Sequence, residues 1–127
     1  MPVEQRRVLI VNESADERDM YAESLRRAGY CTLQADNAVD AYRLASELTP
    51  KVVVIGIRLG GVDDGFALIR RLKHDEHTSH MRVVIVTGNA LPHEKEEAES
   101  SGCDAFFVKP CLPSTLAREV DRMVADA

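Results

Sequence analysis

Four short tracts that could carry chemistry each follow an apolar run. Asn12-Glu13 follows Val8-Leu9-Ile10-Val11, Gly56 follows Val52-Val53-Val54-Ile55, Thr87-Gly88 follows Val83-Val84-Ile85-Val86, and Lys109-Pro110 follows Ala105-Phe106-Phe107-Val108. A carboxylate, an amide, a hydroxyl and an ammonium brought together make one small polar pocket. Other chemistry-bearing groups read less sharply. Gly60 to Gly65 has the glycine spacing of a phosphate-binding loop, but Phe66-Ala67 stands where Lys-Ser/Thr is needed. No G-x-G-x-x-G follows the first apolar run, so a dinucleotide reading fails. His74, His77 and His80 are three apart, which on a helix would form a metal-binding face. Asp75, Glu76, Thr78 and Ser79 surround them, and a solvated loop is the simpler reading. Cys31, Cys103 and Cys111 are odd in number and lack C-x-x-C spacing, which points to reduced thiols rather than a disulfide frame or zinc site.

For the four tracts to meet, the apolar runs must be strands of one sheet. Continuous β-branched runs are the mark of parallel strands buried on both faces. The runs expected as strands are Val8–Val11, Tyr30–Ala35 (less apolar, hence nearer an edge), Val52–Ile55, Val83–Val86 and Ala105–Val108. Between them lie helical stripes. Ser14-Ala15-Asp16-Glu17 has the S-x-x-E form of a capping box, and Met20, Tyr21, Ser24, Leu25 and Ala28 follow at helical spacing up to a stop at Gly29. Ala38, Ala41, Tyr42, Ala45 and Leu48 give a second stripe closed by Pro50, and Phe66, Ile69 and Leu72 a third. Lys73 to Met81 reads as a loop, Pro92 to Ser101 as a short helix before Gly102, and Pro113 as the first residue of a last helix with Leu116, Val120 and Val124 inward. Leu112 before it offers no capping oxygen. Five strand–helix pairs with right-handed crossovers predict an α/β doubly wound five-stranded parallel sheet of order 2-1-3-4-5, a (βα)5 flavodoxin-like architecture. Ligands of such sheets sit beyond the carboxyl ends of the strands, at the switch between the first and third, which is where the four tracts fall.

The composition bounds the reading. With 127 residues, 45% hydrophobic and 29% charged, the chain fits one domain over 1–127, its core about 7–124. Sixteen Lys plus Arg against 21 Asp plus Glu leave a net charge of −5, which argues against non-specific nucleic-acid binding. No apolar run approaches membrane-spanning length and Met1 to Arg7 lacks the apolar stretch of a secretory signal, so a cytoplasmic location without membrane or nucleic acid is expected.

In this order and spacing, V-L-I-V-N-E, L-R-R-A-G-Y, P-K-V-V-V-I-G-I-R-L, D-G-F, V-I-V-T-G and S-G-C-D-A-F-F-V-K-P resemble the receiver domain of two-component response regulators from about Arg7 to Val124. The resemblance implies a phosphoryl-accepting aspartate at the end of the third strand, a position that Gly56 holds in this chain. The family's acid pair, which helps bind Mg²⁺, is matched by Asn12 and Glu13. The hydroxyl that contacts the phosphoryl group is matched by Thr87, the lysine that pairs with it by Lys109, and the aromatic switch residue by Phe106, which has no hydroxyl. The loop Gly60-Gly61-Val62-Asp63-Asp64-Gly65 is one residue longer than usual, and Gly60 stands where proline is common.

These departures lead to a degenerate, aspartate-less receiver: not an enzyme, without cofactor, with Mg²⁺ binding weak or absent. It is expected to act by phosphorylation-independent interaction with a protein partner, a signalling protein or histidine kinase. Without the usual anionic partner, Lys109 is expected to turn to Glu13 or to an acid of the Asp63-Asp64 loop. The acids of the fourth helix, Glu94, Glu96, Glu97 and Glu99, form a solvated face or a docking surface, and a homodimer through helix four, strand five and helix five is open. Two alternatives stand beside this reading. One is phosphorylation at a non-standard residue, Asp63 or Asp64. The other is a small-molecule or anion-binding flavodoxin-like domain using Thr87, Gly88 and Lys109.

Overall fold

The structure is a computed structural model that describes residues 6–61, 64–88 and 91–126. Among these residues five strands alternate with five helices: β1 (Arg7–Val11), α1 (Ala15–Arg27), β2 (Cys31–Ala35), α2 (Ala38–Leu48), β3 (Val52–Ile55), α3 (Gly65–His74), β4 (Arg82–Thr87), α4 (Pro92–Ser101), β5 (Ala105–Val108) and α5 (Pro113–Asp126). All pairings are parallel, and the order is β2-β1-β3-β4-β5, as the alternation of runs and stripes predicts. The register places Val11 beside Ile55 and Thr87 beside Val108, so the carboxyl ends of the inner strands come out at one edge.

Strand alternation divides the core in two. Leu9, Val11, Val53, Ile55, Val83 and Ile85 pack under α2, α3 and α4 with Ala41, Ala45, Ile69 and Leu72. Val8, Ile10, Val52, Val54, Val84 and Val86 face α1 and α5 with Tyr21, Leu25, Leu116, Val120 and Met123. Buried on both sides, these central strands need no polar alternation, which is why they read as unbroken apolar runs. At the edges β2 and β5 are only partly covered, and Val108 is 47% exposed.

Several details differ from expectation. The α1 stripe is Tyr21, Ala22 and Leu25, while Met20 is exposed. Tyr30 precedes β2 instead of opening it: its N–H donates to the Leu25 carbonyl, completing the turn after α1 at Gly29 (φ +99°), and its hydroxyl donates to Asp121 of α5 at 2.5 Å. Helix α3 continues through Lys73 and His74, because the Lys73 ammonium is held by the Met81 carbonyl at 2.8 Å and the Asp75 N–H still reaches Arg71. The loop expected from Lys73 is therefore a set of turns from Asp75.

Candidate functional site

The predicted tracts do converge. Asn12, Glu13, Gly56, Thr87, Gly88 and Lys109 line one cleft of about 220 Å³ at the carboxyl ends of β1, β3, β4 and β5, together with Ser14, Glu17, Ile57, Arg58 and Val86. Ser14, Glu17 and Arg58 are cleft-lining positions that the strand-end rule misses. Phe106 lies elsewhere, paired with Ile85 in the sheet and packed on the core beneath α4. Asp63 falls outside the described residues. Asp64 caps α3, its Oδ1 accepting the Ala67 N–H at 3.0 Å.

The first wall is built by the β1–α1 turn. Asn12 is buried, and its Oδ1 accepts the Ser14 N–H at 2.8 Å, a side-chain turn that opens the helix. Arg18 donates to the Asn12 carbonyl at 2.7 Å and holds this turn from the helix side. The capping box forms only by half: Ser14 Oγ accepts the Glu17 N–H at 3.3 Å, but the Ser14 N–H, which Glu17 would return to, is already taken by Asn12. The Glu17 carboxylate is released from the helix and pairs with the Lys109 ammonium. This corrects the expected partner of Lys109. The acid is neither Glu13, which is exposed, nor Asp64. Glu17 lies one helical turn beyond Glu13, and the stem of Lys109 crosses Gly88 to meet it, Cδ standing 3.7 Å from where a Cβ at Gly88 would lie.

Lys109 is positioned by β5, its N–H donating to the Thr87 carbonyl at 2.7 Å and its peptide to Pro110 being cis. Just beyond, the Tyr21 hydroxyl donates to the Cys111 carbonyl at 3.0 Å, so α1 grips the segment after β5 at two points. Burial, then the nearby Cys111 and Glu17, push the Tyr21 phenol up to about 12, keeping it a donor across the ordinary range. Burial also raises the Cys111 thiol, which argues against a reactive role for it.

Gly56 forms the floor. Its N–H donates to the Val11 carbonyl at 2.8 Å. A Cβ there would meet Asn12 Nδ2 at 3.6 Å and the Val11 oxygen at 3.7 Å, ordinary contacts in a conformation open to any residue. The floor thus has room for a side chain that the sequence does not provide. Gly65 is the opposite case: a Cβ would stand 2.4 Å from the Gly56 carbonyl oxygen, and the Gly65 N–H donates to Ile57 at 2.6 Å. The start of α3 therefore lies directly on the back of the cleft floor. Arg58 rises from the loop after β3, exposed and without a hydrogen-bond or ion-pair partner among the described residues.

The other sequence candidates separate. Glu94 is buried, reaching back to the Leu91 N–H at 3.3 Å, and so leaves the proposed α4 face; this corrects its assignment there. Glu97 pairs with Arg70 of α3 at 3.2 Å, while Glu96 and Glu99 are exposed. The histidines do not share a helix face. His74 ends α3, and the His77 ring meets the Ser46 carbonyl at 2.9 Å. No cluster of three His, Cys, Asp or Glu poised for a metal occurs among the described residues. Asp75, on the same turn, is held below the usual carboxylate range, first by the Tyr42 hydroxyl and then by the His77 N–H. Among the described residues no helix is long and apolar enough to cross a membrane.

Comparison with known proteins agrees with this geometry. The model of the response regulator receiver domain matches residues 8–121. The phosphate regulon transcriptional regulatory protein PhoB of Pseudomonas aeruginosa is 32% identical over 109 residues, 86% of this chain, which spans only 47% of that protein. The polar-differentiation response regulator DivK of Brucella anthropi is 27% identical over 94% of this chain and 97% of its own length. Among solved structures, the receiver domain of a histidine kinase from Syntrophus aciditrophicus superposes with a TM-score of 0.88 at 27% identity, covering 95% of this chain and 91% of that one. A sheet of order 2-1-3-4-5, a polar cleft at its switch point holding Thr87 and Lys109, and a family match over nearly the whole chain lead to one conclusion: this chain belongs to the response regulator receiver family of two-component signalling.

Proposed function

We propose that this chain is a receiver-type signalling module without an acceptor aspartate, working through phosphorylation-independent protein–protein interaction. The observation that carries this reading is Gly56 on the cleft floor. Phosphoryl transfer is a matter of positioning and charge neutralisation around an acceptor, and the floor supplies none. The Asp64 carboxylate is engaged as a helix cap, which weighs against a displaced acceptor there.

The cleft residues also fit Mg²⁺ poorly. The ion requires octahedral oxygen ligation led by carboxylates. Gly56 offers no side chain, the Asn12 oxygen is engaged by Ser14, and Glu17 is engaged by Lys109, leaving Glu13 as the one uncommitted cleft carboxylate among the described residues. The module is accordingly neither an enzyme nor a metal protein in this reading. Its output is docking, on a signalling protein, a histidine kinase or a second copy. The α4–β5–α5 side suits this, with Glu96 and Glu99 exposed and apolar Leu91 and Val108 at 40% and 47% exposure. PhoB and DivK are named for different outputs, so neither pathway transfers to this chain.

The test is intact mass after incubation with acetyl phosphate and Mg²⁺. An unmodified mass is expected, together with retained capture of a cognate histidine kinase. A stable species heavier by one phosphoryl group defeats the reading.

A further inference from the structure

Two ties join α1 to the segment after β5, and they differ in kind. Glu17, in the first turn of α1, pairs with the Lys109 ammonium, and each side chain keeps 29% of its surface exposed. It is the one carboxylate paired with Lys109 among the described residues. Tyr21, four residues on and so on the same side of the helix, donates its buried hydroxyl to the Cys111 carbonyl at 3.0 Å. The first tie is ionic and wetted, so salt weakens it. The second joins neutral, buried groups and is indifferent to salt. Only Pro110 separates the two tied residues, and Pro113 opens α5 two residues after Cys111.

We infer that this arrangement is a latch with a pivot: the Glu17–Lys109 pair opens reversibly while Tyr21 and Cys111 stay joined, and its state sets the seat of the start of α5. Both halves can part without further loss. On the α1 side the Glu17 carboxylate has no capping duty, because Asn12 already occupies the Ser14 N–H. On the β5 side the Lys109 N–H stays with the Thr87 carbonyl, so the strand end is kept when the ammonium lets go. The lysine head then moves to water along its flexible stem. Motion is confined to the few residues between that strand end and the bond from the Leu116 N–H to the Leu112 carbonyl at 3.1 Å, in the first turn of α5. Met20 and Leu112, 43% and 63% exposed, line the surface gap between α1 and the start of α5, and its width follows the latch. A partner that draws Glu17 or Lys109 into ion pairs of its own thereby reseats the start of α5, with no covalent change. Neither tie uses an atom of Gly56, so the latch goes beyond the question of an acceptor there.

The experiment is native-state amide hydrogen exchange of the full chain by NMR, at low salt and at about 1 M NaCl. The Leu116 amide reports on the start of α5. The Asp104 amide, which donates to the Val83 carbonyl at the opposite end of β5, is the internal reference. In Glu17→Gln, Leu116 is expected to exchange about fivefold faster than in the wild type, with Asp104 unchanged. High salt should bring the wild type to the Glu17→Gln rate and leave that variant where it was. Lys109→Gln should match Glu17→Gln, and the double variant should be no faster than either, since both remove one interaction. Glu13→Gln, which deletes the exposed neighbouring carboxylate, should change nothing. Leu116 exchange that neither Glu17→Gln nor salt accelerates overturns the latch. So does an equal acceleration at Asp104, which marks general loosening, or an equal effect of Glu13→Gln. The salt comparison on the wild type needs no variant, so it decides the matter even where a substitution fails to fold.

Discussion

Replacing Gly65 with alanine places a methyl group where the fold leaves no room for one. Its Cβ would stand 2.4 Å from the Gly56 carbonyl oxygen and 3.0 Å from both Ile55 Cγ2 and Ile57 Cα, whereas real Cβ atoms essentially never come within 3.0 Å of another atom. Two of these three neighbours are backbone, so no rotamer change relieves the overlap. Either α3 slides outward or the end of β3 does, and either shift strains the 2.6 Å hydrogen bond from Gly65 N–H to Ile57. Overpacking of this kind costs about 1–3 kcal/mol and a weakened hydrogen bond about 1 kcal/mol, against about 0.4–1 kcal/mol recovered from a stiffer unfolded chain. The net expectation is a loss of about 2–3 kcal/mol, which at this chain length is roughly 8–12 °C in Tm. Gly56→Ala is the internal control: its Cβ meets nothing closer than 3.6 Å, and stability should move by less than about 1 kcal/mol. Urea unfolding followed by circular dichroism measures both, with a lowered midpoint and unchanged slope expected for Gly65→Ala alone. Equal stability of Gly65→Ala and wild type, or an equal loss in the two variants, would refute the reasoning that α3 rests on the cleft floor.

Gly56→Asp should fold, and its carboxylate, placed against the Asn12 amide and near Glu13, should give Mg²⁺ affinity measurable by calorimetry where the wild type shows little. Asn12→Ala should cost about 1 kcal/mol by urea unfolding through loss of the turn onto the Ser14 N–H, while Asn12→Asp keeps the acceptor and most of the stability. Burial and the Asp121 hydrogen bond push the Tyr30 phenol up to about 12, and burial does the same for Tyr21. Both groups hold their protons longer in the folded chain than in the unfolded one. Their stabilisation is full below about pH 10 and is lost as pH rises from about 10 to 12. Tyr30→Phe should flatten part of that fall in unfolding midpoints measured across the same window.

The parts of the site that were legible in the sequence are those fixed by strand ends. A parallel sheet buried on both faces announces its strands as β-branched runs, and the residue after each run must emerge at the carboxyl edge; hence Asn12, Gly56, Thr87 and Lys109 were placed correctly. The partner of Lys109 was not legible. Glu13 and Glu17 lie one helical turn apart, and the choice between them turns on which acceptor takes the Ser14 N–H, a competition between Asn12 and Glu17 that spacing does not decide. The S-x-x-E pattern assigns Glu17 to the helix cap, which hides it from the site. Arg58 lies two residues past Gly56, in the loop that continues the third strand end, beyond the reach of a rule confined to the residue after each run. Glu94 was misplaced for a related reason. Pro92 opens α4, and a residue of its first turn folds back on the free N–H of Leu91, which removes it from a face where periodicity alone would keep it. Tyr30 ended outside its expected strand because its side chain is claimed by α5.

The loop carrying Arg58 is fastened before its extra residue occurs. Gly60 pairs with Asn37 across a short parallel bridge, its N–H donating to Asp36 at 3.0 Å, and Gly65 is tied to Ile57. Arg58 therefore sits on a stretch of backbone pinned on both sides, at Ile57 and at Gly60. Residues added or removed between Gly60 and Gly65 fall beyond the second of these anchors. Length variation in this segment is bounded by an anchor at each end, Gly60 on Asp36 and Gly65 on Ile57, so an insertion there leaves the site a few residues upstream in place only while both anchors hold.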